Sequence, residues 1–394
     1  MPTTRGWAAV GAALALVVLW VVFGEDLLFA LAVFLVTAVI AGTTYVRLAA
    51  PRLTLRRVVN PSQLHDGERA IVDLVLTSRR KVYRVTIEDE VHGLGSATFV
   101  ADRVADGDTM AGRYEVLCRP RGVYRVGPSH VTIGDPLGFT VSTSVFGIED
   151  RIVVYPRIEN LEGVPTGRGQ DPTTNTSRAS FWHSGGEDFY TLREYHQGDD
   201  LRKVHWPSSA KRDELMIKQL EMPWQSRAFI VLDPRTEPHA TTESFEQAVR
   251  GAASALHHLF ASGYTPTIWM GAGNGTMVGN TDSYRSAMEQ LAMIKPSRGI
   301  DLGHLITRLR RSGMAGGVLV MVTGKPDTAD LSAMQLLSQD FYRTVVMSVA
   351  ESENEVILGF ARAGALVVRT TPEGFWSAPW RNAMEHRWST ASAG

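Results

Sequence analysis

Thiol chemistry is nearly absent from this chain, because Cys118 is its one cysteine. That excludes an intramolecular disulfide and every CxxC metal or redox motif, and fits a reducing compartment. A basic surplus is also missing. Lys and Arg total 40 against 41 Asp and Glu, a formal charge of -1, so no global field exists to hold nucleic acid by counterion release. The 11 histidines are scattered, with His257 and His258 as the adjacent pair, and no HExxH occurs, leaving zinc hydrolase chemistry unsupported. No GxxxxGK[ST] loop is present either, so a phosphate cradle for ATP hydrolysis is not expected. What the chain does have is apolar content: hydrophobic residues make up 44% and charged ones 21% of 394. That excludes a disordered or fibrous chain, and the length predicts two or three folded units at roughly 150 residues each.

Uncharged runs open the sequence. Trp7 to Phe23 has 17 residues without a charge and Leu27 to Val46 has 20, each near the ~20 needed to cross a bilayer core. Only Gly24-Glu25-Asp26 lies between them, which predicts a two-helix transmembrane hairpin over residues 1–50. A cleaved signal peptide is the alternative, but no small-residue cleavage site follows Phe23 and a second apolar run comes directly after. Arg5 precedes the first span and Arg47, Arg52, Arg56 and Arg57 follow the second, while the turn has no Lys or Arg. The positive-inside rule then puts both termini in the cytoplasm of an inner or plasma membrane. Gly11, Gly42, Ala38 and Ala41 are candidates for close helix packing.

Residues 51–160 read as short β-branched runs separated by turn formers: Ala70–Leu76, Tyr83–Asp89, Gly112–Cys118, Ser129–Ile133 and Ile152–Tyr155. This punctuation predicts an Ig-like β-sandwich. Asp135-Pro136-Leu137-Gly138-Phe139 reads as a tight structural corner. No nucleophile arrangement occurs here, and the segment reads as a spacer or docking module.

From 161 to 225 a linker, Gly163 to Ser177, leads into a dense polar segment. Phe189–Tyr195 and Leu215–Leu220 read as strands, with a short helical piece beginning near Leu201. Three readings stand side by side. Arg193, Glu194, Asp199, Asp200 and Arg202 can form a charge-assisted network fixing a turn against Trp206. Tyr195, Arg202 and Trp206 are residue types enriched at protein interfaces. His183 or His205 beside Ser184 or Ser208 has the residue types of a base and nucleophile.

Residues 226–394 alternate strand and helix, which predicts an α/β domain with a mostly parallel sheet. Expected strands are Ala228–Leu232, Thr265–Met270, Val318–Thr323, Thr344–Ala350 and Ala365–Arg369. Expected helices are Thr242–Ser262, Ser283–Ile294, Leu302–Arg311, Asp330–Ser338 and Val356–Ala363. Gly271-Ala272-Gly273-Asn274-Gly275 reads as a hairpin turn rather than a phosphate loop, since a strand pattern follows it. Phe375, Trp376, Trp380 and Trp388 either close the domain edge or anchor another chain.

Several motifs in this order carry a resemblance. Leu192-Arg193-Glu194-Tyr195, Gly198-Asp199-Asp200, Arg202, His205-Trp206, Ser209-Ala210-Lys211 and Leu215 resemble the signature of the bacterial domain-of-unknown-function family fifty-eight, and Arg121-Gly122-Val123-Tyr124 with Asp135-Pro136-Leu137-Gly138 is similar to its upstream strand domain. The resemblance implies a membrane-attached cytoplasmic protein, a von Willebrand factor A-like, Rossmann-type C-terminal domain, and partnership with a MoxR-type AAA+ ATPase. Metal-binding members of the von Willebrand A fold carry Asp-x-Ser-x-Ser after the first strand. Here the sequence is Asp233-Pro234-Arg235-Thr236-Glu237. A guanidinium opposes a divalent cation, so a degenerate site without metal or cofactor is expected, Asp233 pairing with Arg235 or capping a turn. The function expected is a non-catalytic membrane scaffold or adaptor for the ATPase or its client. The signature residues, Gly198, His205, Ser209 and Lys211 included, form the partner surface. A membrane-bound hydrolase and a metal-dependent protein-binding domain are the alternatives.

Overall fold

The computed structural model describes residues 1–165, 190–195, 204–212, 214–220, 227–271, 275–299, 302–311, 316–352 and 355–391. These form two compact units, Met1–Pro156 and Arg157–Gly394.

The first unit opens with helices α1 (Thr4–Phe23) and α2 (Asp26–Ala49), joined at Gly24. Both are long and apolar enough to cross a membrane. Most of their buried positions are small, Gly6, Ala9 and Ala13 on α1 and Ala32 and Gly42 on α2, while Val46 and Ala49 of α2 join the core of the strands. Gly11 and Gly42 do not serve the helix seam as expected. A side chain at Gly11 would meet open space, whereas one at Gly42 would stand 3.1 Å from the Asp135 carboxyl carbon. Gly42 is therefore where α2 comes close to the turn after β8.

Ten strands follow: β1 (Leu53–Asn60), β2 (Gln63–His65), β3 (Arg69–Ser78), β4 (Val82–Val91), β5 (Gly95–Val104), β6 (Thr109–Leu117), β7 (Gly122–Val126), β8 (Ser129–Gly134), β9 (Val141–Phe146) and β10 (Asp150–Tyr155). They form a three-stranded sheet, β1-β3-β6, and a seven-stranded sheet, β2-β10-β7-β4-β8-β9, with β5 paired to β4. Pairing is antiparallel apart from β2 with β10. Both sheets feed one core, with Val72, Leu74 and Leu76 from β3 beside Val85 and Ile87 from β4. The alternation in β3 is strict in burial although partial in sequence. Residues 70, 72, 74, 76 and 78 point inward, and Val75 lies outward at 37% exposure. Buried Cys118 belongs to this core, and burial pushes its thiol pKa up, as expected of an unreactive thiol.

The second unit begins with a hairpin-like pair, β11 (Tyr190–Glu194) and β12 (Met216–Leu220), antiparallel around helix α3 (Trp206–Arg212). The helical piece expected near Leu201 falls outside the described residues, as does most of the predicted linker; the described helix begins at Trp206. The α/β layer follows: β13 (Arg227–Leu232), α4 (Thr242–Ala261), β14 (Thr265–Trp269), β15 (Thr276–Met277), α5 (Thr281–Met293), α6 (Leu302–Arg311), β16 (Val318–Thr323), α7 (Thr328–Ser338), β17 (Arg343–Val349), α8 (Glu355–Arg362), β18 (Leu366–Thr370) and α9 (Ser377–Ala391). The sheet order is β15-β14-β13-β16-β17-β18, parallel except for β15. All six residues of β16 are buried, the pattern of a strand covered on both faces. Residues of α6, α7 and α8 join one face of the sheet in a single cluster, while α4 packs against the strands outside that cluster.

At the carboxyl end Trp376 and Trp380 are fully buried. Their indole nitrogens donate to the Gln247 and Gly163 carbonyls at 3.0 Å each, so these two aromatics close the domain edge. Phe375 is 60% exposed, and the side chain of Trp388 lies outside the described residues.

Candidate functional site

The chain runs from β13 outward to β14 on one side and returns to β16 on the other. That reversal makes a topological switch point, and in open α/β sheets ligands bind beyond the carboxyl ends of the strands there. Asp233 directly follows β13, its amide extending the ladder to the Val322 carbonyl at 2.9 Å. Thr323 ends β16, and Asp330 lies in the first turn of α7, which Asp327 caps in a capping box.

Arg235 fills this position. Its Nε and Nη2 donate to the two Asp233 oxygens at 2.9 and 2.8 Å, and the same Nη2 lies 2.9 Å from Asp330 Oδ1. The Arg235 amide and the Thr323 hydroxyl also donate to the Asp233 carboxylate, at 3.1 and 2.8 Å. The Asp233 side chain is fully buried, Asp330 nearly so, and Arg235 is 12% exposed. Burial works against the charged guanidinium, but hydrogen bonds and charge from Asp233 and Asp330 outweigh it and raise the Arg235 pKa. Glu237, at the other expected serine position, is exposed.

The surrounding loops lock this arrangement. The Thr236 amide donates to the Ser297 carbonyl at 3.0 Å, and the Ser297 amide donates to the Pro234 carbonyl at 2.7 Å. A side chain at Gly324 would come within 2.1 Å of the Pro238 carbonyl oxygen, so that loop can approach only as glycine. His239 is buried, its Nδ1 3.2 Å from Ser244 Oγ and its Nε2 3.4 Å from the Asp233 carbonyl. Desolvation lowers its pKa despite the nearby Asp233 charge.

The signature segment is described in part. Pairing of β11 with β12 sets Arg193 opposite Ile217 and Glu194 opposite Met216; the Tyr195 amide donates to the Leu215 carbonyl at 2.8 Å. The His205 backbone is tied to Met216 in the same way. Ser209 Oγ donates to the His205 carbonyl at 3.1 Å and accepts from the Met216 amide at 2.9 Å, which explains its burial. His205 Nδ1 lies 2.8 Å from Ser208 Oγ. The two are three residues apart at the first turn of α3, the spacing of a capping contact. Trp206 projects outward at 66% exposure, and Lys211 is exposed on the same helix. Gly198, Asp199, Asp200, Arg202, His183 and Ser184 lie outside the described residues.

The sequence reading named Asp233 and Arg235, and Thr323-Gly324-Lys325 where the resemblance implies a further acidic ligand, but placed neither Asp330 nor His239 here. An Asp at the second capping position of α7 carried no local sign of facing Arg235. Residues 191–350 match the family described as "Protein of unknown function DUF58". The Bacillus subtilis (strain 168) protein described as "Uncharacterized protein YeaD" is 27% identical over 218 residues, covering 52% of this chain and 53% of that protein; the chain spans about half the length of this curated relative. Among solved structures, the CARDB domain of PF1109 from Pyrococcus furiosus overlaps 26% of this chain and 86% of its own at 13% identity and a TM-score of 0.20. Bacillus subtilis Spo0M, a sporulation control protein, overlaps 26% and 49% at 10% identity and a TM-score of 0.17. Neither overlap bears on the fold.

Proposed function

We propose that this chain is a membrane-anchored, non-catalytic scaffold whose α/β unit, of the von Willebrand A type, binds a protein partner on the cytoplasmic side. The observation that carries the reading is Arg235. A buried cation ion-paired to two carboxylates takes up the switch-point crevice, supplying the positive charge a divalent ion would bring. Recognition then falls to exposed surface, and Trp206, of a residue type that dominates interface energetics, stands 66% exposed beside the signature strands. The resemblance names a MoxR-type AAA+ ATPase, or its client, as the partner. The arginines flanking α1 and α2, Arg5, Arg47 and Arg52, support cytoplasmic termini in an inner or plasma membrane.

Capture of partners by the full chain in detergent, from its native host, tests this. Trp206→Ala is expected to weaken capture of an AAA+ ATPase by about 30-fold, the loss of roughly 2 kcal/mol typical of a hot spot, with an unchanged melting temperature. Arg202→Ala serves as a second probe. Capture that is unaffected, or lacks an ATPase, overturns the proposal.

The 2.8 Å contact between His205 and Ser208 favours one other reading, a membrane-bound hydrolase. On the scaffold reading the pair is a local side-chain contact at the start of α3, so a serine-reactive fluorophosphonate is expected to leave Ser208 unlabelled; labelling abolished by Ser208→Ala would establish the hydrolase instead.

A further inference from the structure

The fold gathers cations at one end of the β unit. β1, β6 and β4 begin there while β3, β5 and β8 end there, so the turns 50–52, 79–81, 105–108 and 135–140 share that end with the open base of the α1–α2 hairpin. The hairpin base is fastened to it. The Thr3 amide and hydroxyl donate to the Phe139 and Gly138 carbonyls at 2.8 and 2.7 Å, and the Arg79 amide donates to the Arg52 carbonyl at 3.1 Å. The Tyr45 hydroxyl donates to the Lys81 carbonyl. The corner itself is held from inside, since the buried Asp135 carboxylate accepts from the Leu137 and Gly138 amides at 2.7 Å and from the Thr140 hydroxyl at 2.9 Å. What the sequence presented as a plain turn is the seat of the helices.

Around that seat stand Arg47, Arg52, Arg79, Arg80, Lys81 and Arg84. Among the described residues none of the six has a carboxylate partner, whereas Arg57, Arg69, Arg113 and Arg125 elsewhere in the unit each pair with at least one. Asp106 and Asp108 on the adjacent turn leave the end net positive. Arg84 is the one described non-glycine residue with positive φ, 49°, at a register shift in β4. Such bulges re-aim a side chain at the cost of backbone strain. Here the guanidinium is turned over Gly138, where any side chain would strike it at 2.0 Å. Aromatic and apolar groups stand among the cations: the Tyr45 and Tyr83 rings lie 6.2 Å apart, Lys81 Nζ is 5.1 Å from the Tyr83 ring, and Leu137 is 56% exposed at the corner tip.

We infer that this end of the β unit is a headgroup-binding surface for anionic phospholipid, pressed onto the bilayer that holds α1 and α2. It rests on those helices spanning. Unpaired Lys and Arg at the height of the headgroups attract anionic lipid, tyrosines suit that layer, and an exposed leucine can enter its apolar edge. The strain at Arg84 then has a purpose, since it holds a cation at the membrane rather than along the sheet. A lipid surface is favoured over an acidic protein because the patch is continuous with the apolar helices.

The full chain, reconstituted in phosphatidylcholine vesicles containing phosphatidylglycerol, tests this by spin-label resonance with labelled forms of each lipid. The wild type is expected to prefer the anionic lipid, and Arg79→Gln/Arg80→Gln/Lys81→Gln to lower that preference about threefold or more. Arg69→Gln/Arg113→Gln/Arg119→Gln, the same charge loss at other parts of the unit, is expected to leave it unchanged, as is the melting temperature of the first variant. High salt should abolish the wild-type preference. Equal selectivity in the wild type and the first variant overturns the inference and leaves an acidic protein as the occupant. Failure of the chain to float with the vesicles overturns the spanning reading along with it.

Discussion

Arg235 is worth more than its sequence position indicates, because removing it strands two buried carboxylates. Arg235→Ser is expected to lower stability by about 3–5 kcal/mol, the usual cost of breaking a buried pair from one side, measured by denaturant melts. The same variant places a serine two residues after Asp233 and frees the Asp233 and Asp330 carboxylates, so magnesium is expected to raise its melting temperature by preferential binding to the folded form, while leaving the wild type unmoved. A magnesium response in the wild type would instead support the metal-dependent alternative. His239 contributes a pH dependence of definite sign. Its folded pKa is lowered, so the unfolded chain takes up a proton that the folded chain refuses. That contribution is present above the unfolded value of about 6.5 and is lost as pH falls below it, at up to about 1.4 kcal/mol per pH unit. Melting temperatures between pH 7 and 5 are expected to drop less steeply in His239→Gln than in the wild type. The Asp-x-Arg spacing was legible in the sequence. Thr323, 90 positions from Asp233, was placed there by the family resemblance alone, and Asp330 was not legible, since only strand order brings it alongside.

Strands and helices differ in how plainly they announce themselves. β3, β4, β13 and β16 carry regular apolar burial and were read nearly to their ends. β1, β5 and β9 were missed, and the reason is positional: β1 and β9 are edge strands, β5 pairs only β4, and each buries at most one residue. An element with little to bury shows no hydrophobic period. α9 was overlooked for a related reason, because it is pinned by Trp380 and by Trp376 just before its first turn rather than by a repeating stripe. The strands also hide a polar clasp. Arg57 Nη1 lies 3.0 Å from Asp89 Oδ1, and Asp89 accepts from Ser129 and Tyr114 at 2.7 Å each. Burial first, then this hydrogen bond, pushes the Tyr114 phenol pKa well above its ordinary value. The clasp ties β1 to β4, β6 and β8 across both sheets. Asp89→Asn is expected to destabilise the chain by about 3–5 kcal/mol and Tyr114→Phe by about 1–2 kcal/mol, both read from chemical unfolding.

At the scale of the whole molecule, a formal charge of -1 conceals strong local segregation, with cations collected at the hairpin base and one buried at the switch point. Net charge excluded a global basic field and says nothing of a patch built from the end of α2, two turns and the start of β4. Sequence by itself determined the two apolar helices, the switch from strand-rich to alternating α/β order, and the residue types at 233, 235 and 237. Those are properties of one element or one short loop, written in local periodicity and spacing. Tertiary structure alone decided that Asp330 would share Arg235 with Asp233, that the Asp135 corner would seat the helices, and that Arg84 would lean over it. Each of these depends on which distant segments meet, and that is set by sheet order and by how the turns cluster once strands pair, information no single stretch of chain carries.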